Sequence, residues 1–156
     1  MATLAEAFPD ARFIGCIRNP SAAVPSQINS ILIGARLFDG RDTTEYWRQG
    51  FMAMLDYYYR HVLEVLASLP PERQVLSVME QLAPAPADTV LAFYQRFGWQ
   101  PGTAFRQQLD AQERKAKQYR SDHHYSLEAL GVSGEELLQT FGWVYERFGF
   151  ALPPRD

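Results

Sequence analysis

The sequence holds a single cysteine, Cys16, in 156 residues, so no internal disulfide can form. Set within an apolar run, that cysteine reads as a small buried hydrophobe rather than a nucleophile or a metal ligand. No uninterrupted apolar stretch is long enough to span a bilayer, and there is no signal-peptide pattern, which makes a soluble, cytoplasmic protein the expectation. Positive charge is not in excess. A net charge of −3 gives no general attraction to nucleic acid or to an anionic membrane, which excludes both as partners of the whole surface. Any anion site must therefore be local. Repeats and low-complexity tracts are missing, as is any G-x-x-x-x-G-K-[ST] phosphate loop.

What the chain does have is enough apolar material for one core. Hydrophobic residues make up 47% of it, which at this length predicts a single domain over 1–156. Residues 12–17, with Phe13, Ile14, Cys16 and Ile17, read as a strand apolar on both faces, as in a parallel sheet covered by helices on each side. Arg18 stands at its exit. Asn19 supplies a capping acceptor, and Pro20 suits a first helical turn. Residues from Pro25 or earlier to about Leu37 read as a helix; Pro25 would remove an internal bond from one begun at Pro20, and a short turn before a main helix near Pro25 is the alternative. Either start places Ser26 beside a helix N-terminus, eight positions after Arg18. Ligands of open α/β sheets bind at the carboxyl ends of strands, and N–H groups at a helix start favour anions. A cation and a hydroxyl converging there make a phosphate site.

Beyond a loop at 38–44, the residues Trp47, Phe51, Met54, Tyr58, Val62, Val65 and Leu69 recur at spacings of three and four. They predict the buried stripe of a long helix ended by Pro70 and Pro71. Residues 74–79 form a second strand candidate, followed by a proline-punctuated loop and a helix over 87–97 that stops at Gly98. The polar segment 102–119 reads as part helix and part loop. Ser133 and Glu136 make a capping box for a terminal helix burying Leu137, Leu138, Phe141, Val144, Tyr145 and Phe148. The class is α/β, with two strands of a parallel sheet and a predominance of helices. Two parallel strands leave apolar edges uncovered, so self-association or a complementary polypeptide is expected.

Arg-Asn-Pro at 18–20 with Ser26, after the Phe-Pro-Asp-Ala-Arg lead-in at 8–12, resembles the 3′-phosphate-binding segment of sulfotransferases that use 3′-phosphoadenosine 5′-phosphosulfate (PAPS). Residues 75–82, VLSVMEQL, resemble that family's next strand. Residues 119–131, YRSDHHYSLEALG, look like the C-terminal loop of its bacterial-type members. The resemblance implies a partial three-layer, P-loop-NTPase-like fold and PAPS as cosubstrate, with no metal. It implies that Arg18 and Ser26 hold the nucleotide's 3′-phosphate, and that a basic loop with Lys117, Arg120 and Ser121 helps to cover it. Lys115 lies in the same stretch. The family's phosphosulfate loop and catalytic base precede this segment, and no counterpart of either occurs here. The resemblance therefore points to the C-terminal half of such an enzyme, which transfers a sulfuryl group to a hydroxyl or amine acceptor once completed. A non-catalytic remnant or interaction module keeping the fold is the alternative. Met79-Glu80-Gln81-Leu82 stands where the family often has Tyr-Glu-Asp-Leu, so the aromatic residue near adenine is missing.

Plainer readings compete at each position. Arg18 suits a solvated strand end or a salt bridge, Ser26 an ordinary helix serine, and Lys115, Lys117 and Arg120 a solvated basic stretch. Asp122, His123 and His124 are adjacent and diverge, unlike the four-residue spacing of helical metal pairs. His61 lies beside an apolar stripe and reads as structural. Glu80 follows a strand in a region where the family uses its acid structurally.

Overall fold

The computed structural model describes residues 2–38, 40–118 and 126–154. In chain order these form α1 (Ala2–Ala7), β1 (Phe13–Ile17), α2 (Pro20–Phe38), α3 (Thr44–Ser68), β2 (Gln74–Val78), α4 (Met79–Leu82), α5 (Pro86–Arg96), α6 (Thr103–Gln118) and α7 (Gly134–Phe148). The chain divides into two compact units, each made from two stretches. Met1–Ile17 joins Arg60–Ser121, and Arg18–Tyr59 joins Asp122–Asp156. None of the described helices is long and apolar enough to cross a membrane.

In the first unit β1 and β2 pair in parallel, with Ile14 opposite Val75, Gly15 opposite Leu76 and Ile17 opposite Val78. This is the expected two-stranded α/β arrangement. The expected cover on both faces of β1 is corrected: Gly15 and Ile17 are buried, but Ile14 is 44% exposed and Cys16 is exposed as well. The face of β1 that carries Ile14 and Cys16 is thus uncovered, and among the described residues the sheet stops at two strands, so β1 pairs along one edge. The covered face is tight. A Cβ on Gly15 would stand 2.7 Å from Val62 Cγ1 and 2.6 Å from Leu66 Cδ1, so only glycine lets α3 lie this close. Arg73 ties the lead-in to the start of β2 by donating to the carbonyls of Ala5, Phe8 and Ala11, with its guanidinium over the Phe13 ring.

Helix α6 runs unbroken through a segment expected to be partly loop. Its helical state is fixed by contacts with α5: Tyr94 stacks on Phe105, and the Glu113 carboxylate accepts the Ala87 N–H in the first turn of α5. That contact caps one helix with a side chain of the other, satisfying an amide that has no partner within its own helix.

The second unit packs α2 and the first part of α3 with α7. Helix α2 is one helix from Pro20 onward, the earlier of the two starts that the sequence left open. Pro25 forfeits only its bond to the Ser21 carbonyl. Pro20, Ala23, Val24, Pro25, Ile28 and Leu32 meanwhile form one buried face whose packing outweighs that loss. Asn29 Nδ2 donates to the Pro25 carbonyl. Helix α7 begins as expected, with Ser133 Oγ accepting the Glu136 N–H at 3.1 Å. The Glu136 carboxylate does not close the box. It binds Arg48 at 2.6 Å instead, and Arg48 also donates to the Gly131 carbonyl. Gly149, at φ 63°, ends α7 in the left-handed conformation.

The stripe expected along α3 holds at Val62 and Val65 but is out of phase before them. The buried residues are Met52, Leu55 and Tyr59 in the second unit and Val62, Val65 and Leu66 in the first. Met54 and Tyr58 are 51% and 42% exposed. Two neighbouring stripes of this helix are both apolar at helical spacing, and periodicity alone does not choose between them.

Candidate functional site

Strand β1 ends at Ile17, Arg18 follows, and α2 opens two residues later. The chain turns helical here because Asn19 holds its own first turn. Asn19 Oδ1 accepts the Ser21 N–H, and the Asn19 carbonyl accepts those of Ala22 and Ala23, all at 2.9 Å. Pro20 has no N–H to satisfy. The first amides of α2 are thus spent within the turn, which corrects the expectation that they face an anion. An anion at this place would be held by side chains and by the dipole of a 19-residue helix.

Two phenols brace the turn. Tyr59 Oη donates to the Arg18 carbonyl at 2.6 Å, and Tyr145 Oη lies 2.6 Å from Ser21 Oγ. Both tyrosines are 2% exposed. Phe141, one turn before Tyr145 on α7, meets the Tyr59 ring edge-on at 6.4 Å. Burial pushes the Tyr145 phenol above its ordinary pKa, against the opposing pull of its bonds to Ser21. Sequence reading placed Tyr145 on a buried face but missed both hydroxyl bonds.

The guanidinium of Arg18 is exposed, and no described residue of its unit takes it as a partner. Ser26 is half-buried and is the seventh residue of α2, about 9 Å along the axis from Pro20, so its expected place at a helix N-terminus is corrected. Ala22 and Ser26, four apart, share one side of α2, with Cα–Cβ bonds tilted toward the helix start where Arg18 stands. The Ser26 hydroxyl is not spent on the Ala22 carbonyl one turn back. A cavity of about 640 Å³ lies in the same unit, lined by Ser21, Ser126, Leu127, Val132, Ser133 and Pro154. It joins the start of α2 to the start of α7.

Lys117 belongs to the other unit. It is exposed and paired with Glu113 at 2.7 Å, the carboxylate that caps α5. That bond holds Glu113 below the usual carboxylate range and lifts Lys117. Arg120 and Ser121 lie outside the described residues, as do Asp122, His123 and His124.

No protein-family model matches the chain, and no curated protein sequence matches it significantly. Among solved structures, sulfotransferase STF9 from Mycobacterium avium superposes with a TM-score of 0.79 at 22% identity, over 99% of this chain and 40% of that one. The parallel strand pair and the helices of this chain thus have a fold similar to that of a bacterial sulfotransferase, of which the chain spans 40% of the length.

Proposed function

We propose that this chain is the nucleotide-holding part of a PAPS-dependent sulfotransferase, corresponding to the C-terminal half of such an enzyme, and that Arg18 and Ser26 grip the 3′-phosphate. The observation that carries this reading is an arginine with no partner among the described residues of its unit, set at the end of a parallel strand and the mouth of a capped helix, in a chain with a sulfotransferase-like fold. The residues fit the nucleotide: a cation, a hydroxyl in the second turn of α2 and the positive end of a helix dipole all suit a dianion. The bound cosubstrate would supply the sulfuryl group for a hydroxyl or amine acceptor.

Lys117, Arg120 and Ser121 belong to this reading through the family resemblance, as residues that cover the nucleotide. For Lys117 that requires exchanging its bond to Glu113 for one to phosphate. Gripping a phosphate remote from the bond that breaks is uniform binding, which raises affinity without accelerating chemistry. The phosphosulfate loop and the base belong to residues outside this segment, and the second edge of β1, which pairs with no strand among the described residues, suits an added strand. Competition calorimetry between adenosine 3′,5′-bisphosphate and adenosine 5′-monophosphate tests the assignment. Preference for the bisphosphate is expected, and equal affinities would overturn it.

A further inference from the structure

We infer that Tyr59 and Tyr145 are positioning residues, whose buried hydroxyls fix the Arg18–Ser21 turn and so aim the Arg18 guanidinium. This rests on the 3′-phosphate reading above. The two phenols come from different helices, α3 and α7, and hold the turn at its two ends. Tyr59 takes the Arg18 carbonyl and Tyr145 the Ser21 side chain. Between these points the chain is already tied to Asn19, so the turn has little freedom left.

Fixing the Arg18 carbonyl fixes the plane of the Arg18–Asn19 peptide and the place of the Arg18 Cα in it, so that ψ of Arg18 is the one backbone rotation left between that plane and the Cα–Cβ bond. An exposed arginine loses rotamer freedom when it grips an anion, and a rigid base lessens the part of that cost due to the backbone. Packing alone does not require the hydroxyls. Phenylalanine would keep the Tyr59 ring against Phe141, and both rings would remain buried.

Tyr59→Phe and Tyr145→Phe therefore separate positioning from packing. Each should weaken adenosine 3′,5′-bisphosphate binding by about two- to tenfold, the worth of one hydrogen bond, while leaving adenosine 5′-monophosphate binding unchanged. Ser21→Ala, which removes the same bond from its other end, should reproduce Tyr145→Phe. In an Arg18→Ala background none of the three should cost further affinity. Equal losses for both nucleotides, or losses that persist without Arg18, would overturn the inference and mark the phenols as structural only. If the wild-type chain does not discriminate between the nucleotides, it is the 3′-phosphate reading that fails. The bracing is then judged by amide exchange at Ala22 and Ala23, expected to quicken about two- to tenfold in both phenylalanine variants. Unchanged exchange there refutes the bracing.

Discussion

Gly15→Ala is a single-methyl change whose sign is set by one close approach. In an ordinary strand, replacing glycine by alanine gains roughly 0.5 to 1 kcal/mol, because glycine loses the most conformational freedom on folding. Here the new methyl carbon would lie 2.6 Å from Leu66 Cδ1 and 2.7 Å from Val62 Cγ1, well inside van der Waals contact. Leu66 can swing its terminal methyl, but Val62, β-branched on a helix, has essentially one rotamer. The helix or the strand must shift, and overpacking of this kind costs about 1 to 3 kcal/mol. The overpacking outweighs the gain, leaving a net loss of about 0.5 to 2 kcal/mol. With a urea m-value of about 2 kcal/mol/M, the unfolding midpoint followed by circular dichroism should fall by about 0.3 to 1 M. Removing the obstructing methyls by Val62→Ala should cut the cost of Gly15→Ala by half or more. An unchanged or higher midpoint in Gly15→Ala, or an equal loss in the Val62→Ala background, would refute this reasoning.

Ser77 is 3% exposed and its hydroxyl has no hydrogen-bond partner among the described residues, so Ser77→Ala should leave stability unchanged or raise it by about 1 kcal/mol in urea unfolding. Tyr145, raised above its ordinary value of about 10, keeps its proton in the folded chain after the unfolded chain has lost its own. Its share of stability is therefore whole below pH 10 and is lost as pH rises through the folded value. Tyr145→Phe should show a shallower alkaline decline than wild type, and parallel declines would count against that shift. The isolated chain should transfer no radiolabelled sulfate from PAPS to phenols, alcohols or amines at an enzyme-like rate, since the proposed reading puts the base, typically worth about a hundred- to ten-thousandfold, outside these residues. Robust turnover would show that the chemistry resides in this chain.

Local signals were readable because they need only neighbours. Ser133 with Glu136 marked the start of α7, and the run Leu137, Phe141, Val144 and Tyr145 marked its buried face. Phase along the first half of α3 was not readable, because Trp47, Phe51, Met54 and Tyr58 are as periodic as the residues it buries, and only the partners choose between the stripes. Pro25 left the start of α2 undecided for a related reason: a lost helical bond is local, while the face that carries α2 through it is tertiary. At the site, Arg18 could be placed because strand, arginine, asparagine and proline are consecutive. Its bracing could not be, since Tyr59 lies 41 residues from Arg18 and Tyr145 lies 124 from Ser21. Nor does a capping asparagine announce that it will absorb the amides of the first turn.

The central claim, that Arg18 holds the 3′-phosphate, is tested most directly by a two-by-two comparison. Wild type and Arg18→Ala are each titrated with adenosine 3′,5′-bisphosphate and with adenosine 5′-monophosphate. A charged hydrogen bond is worth roughly 1.5 to 3 kcal/mol, so Arg18→Ala should weaken the bisphosphate about ten- to a hundredfold and leave the monophosphate within about twofold. Equal weakening of both nucleotides, or of neither, would contradict it.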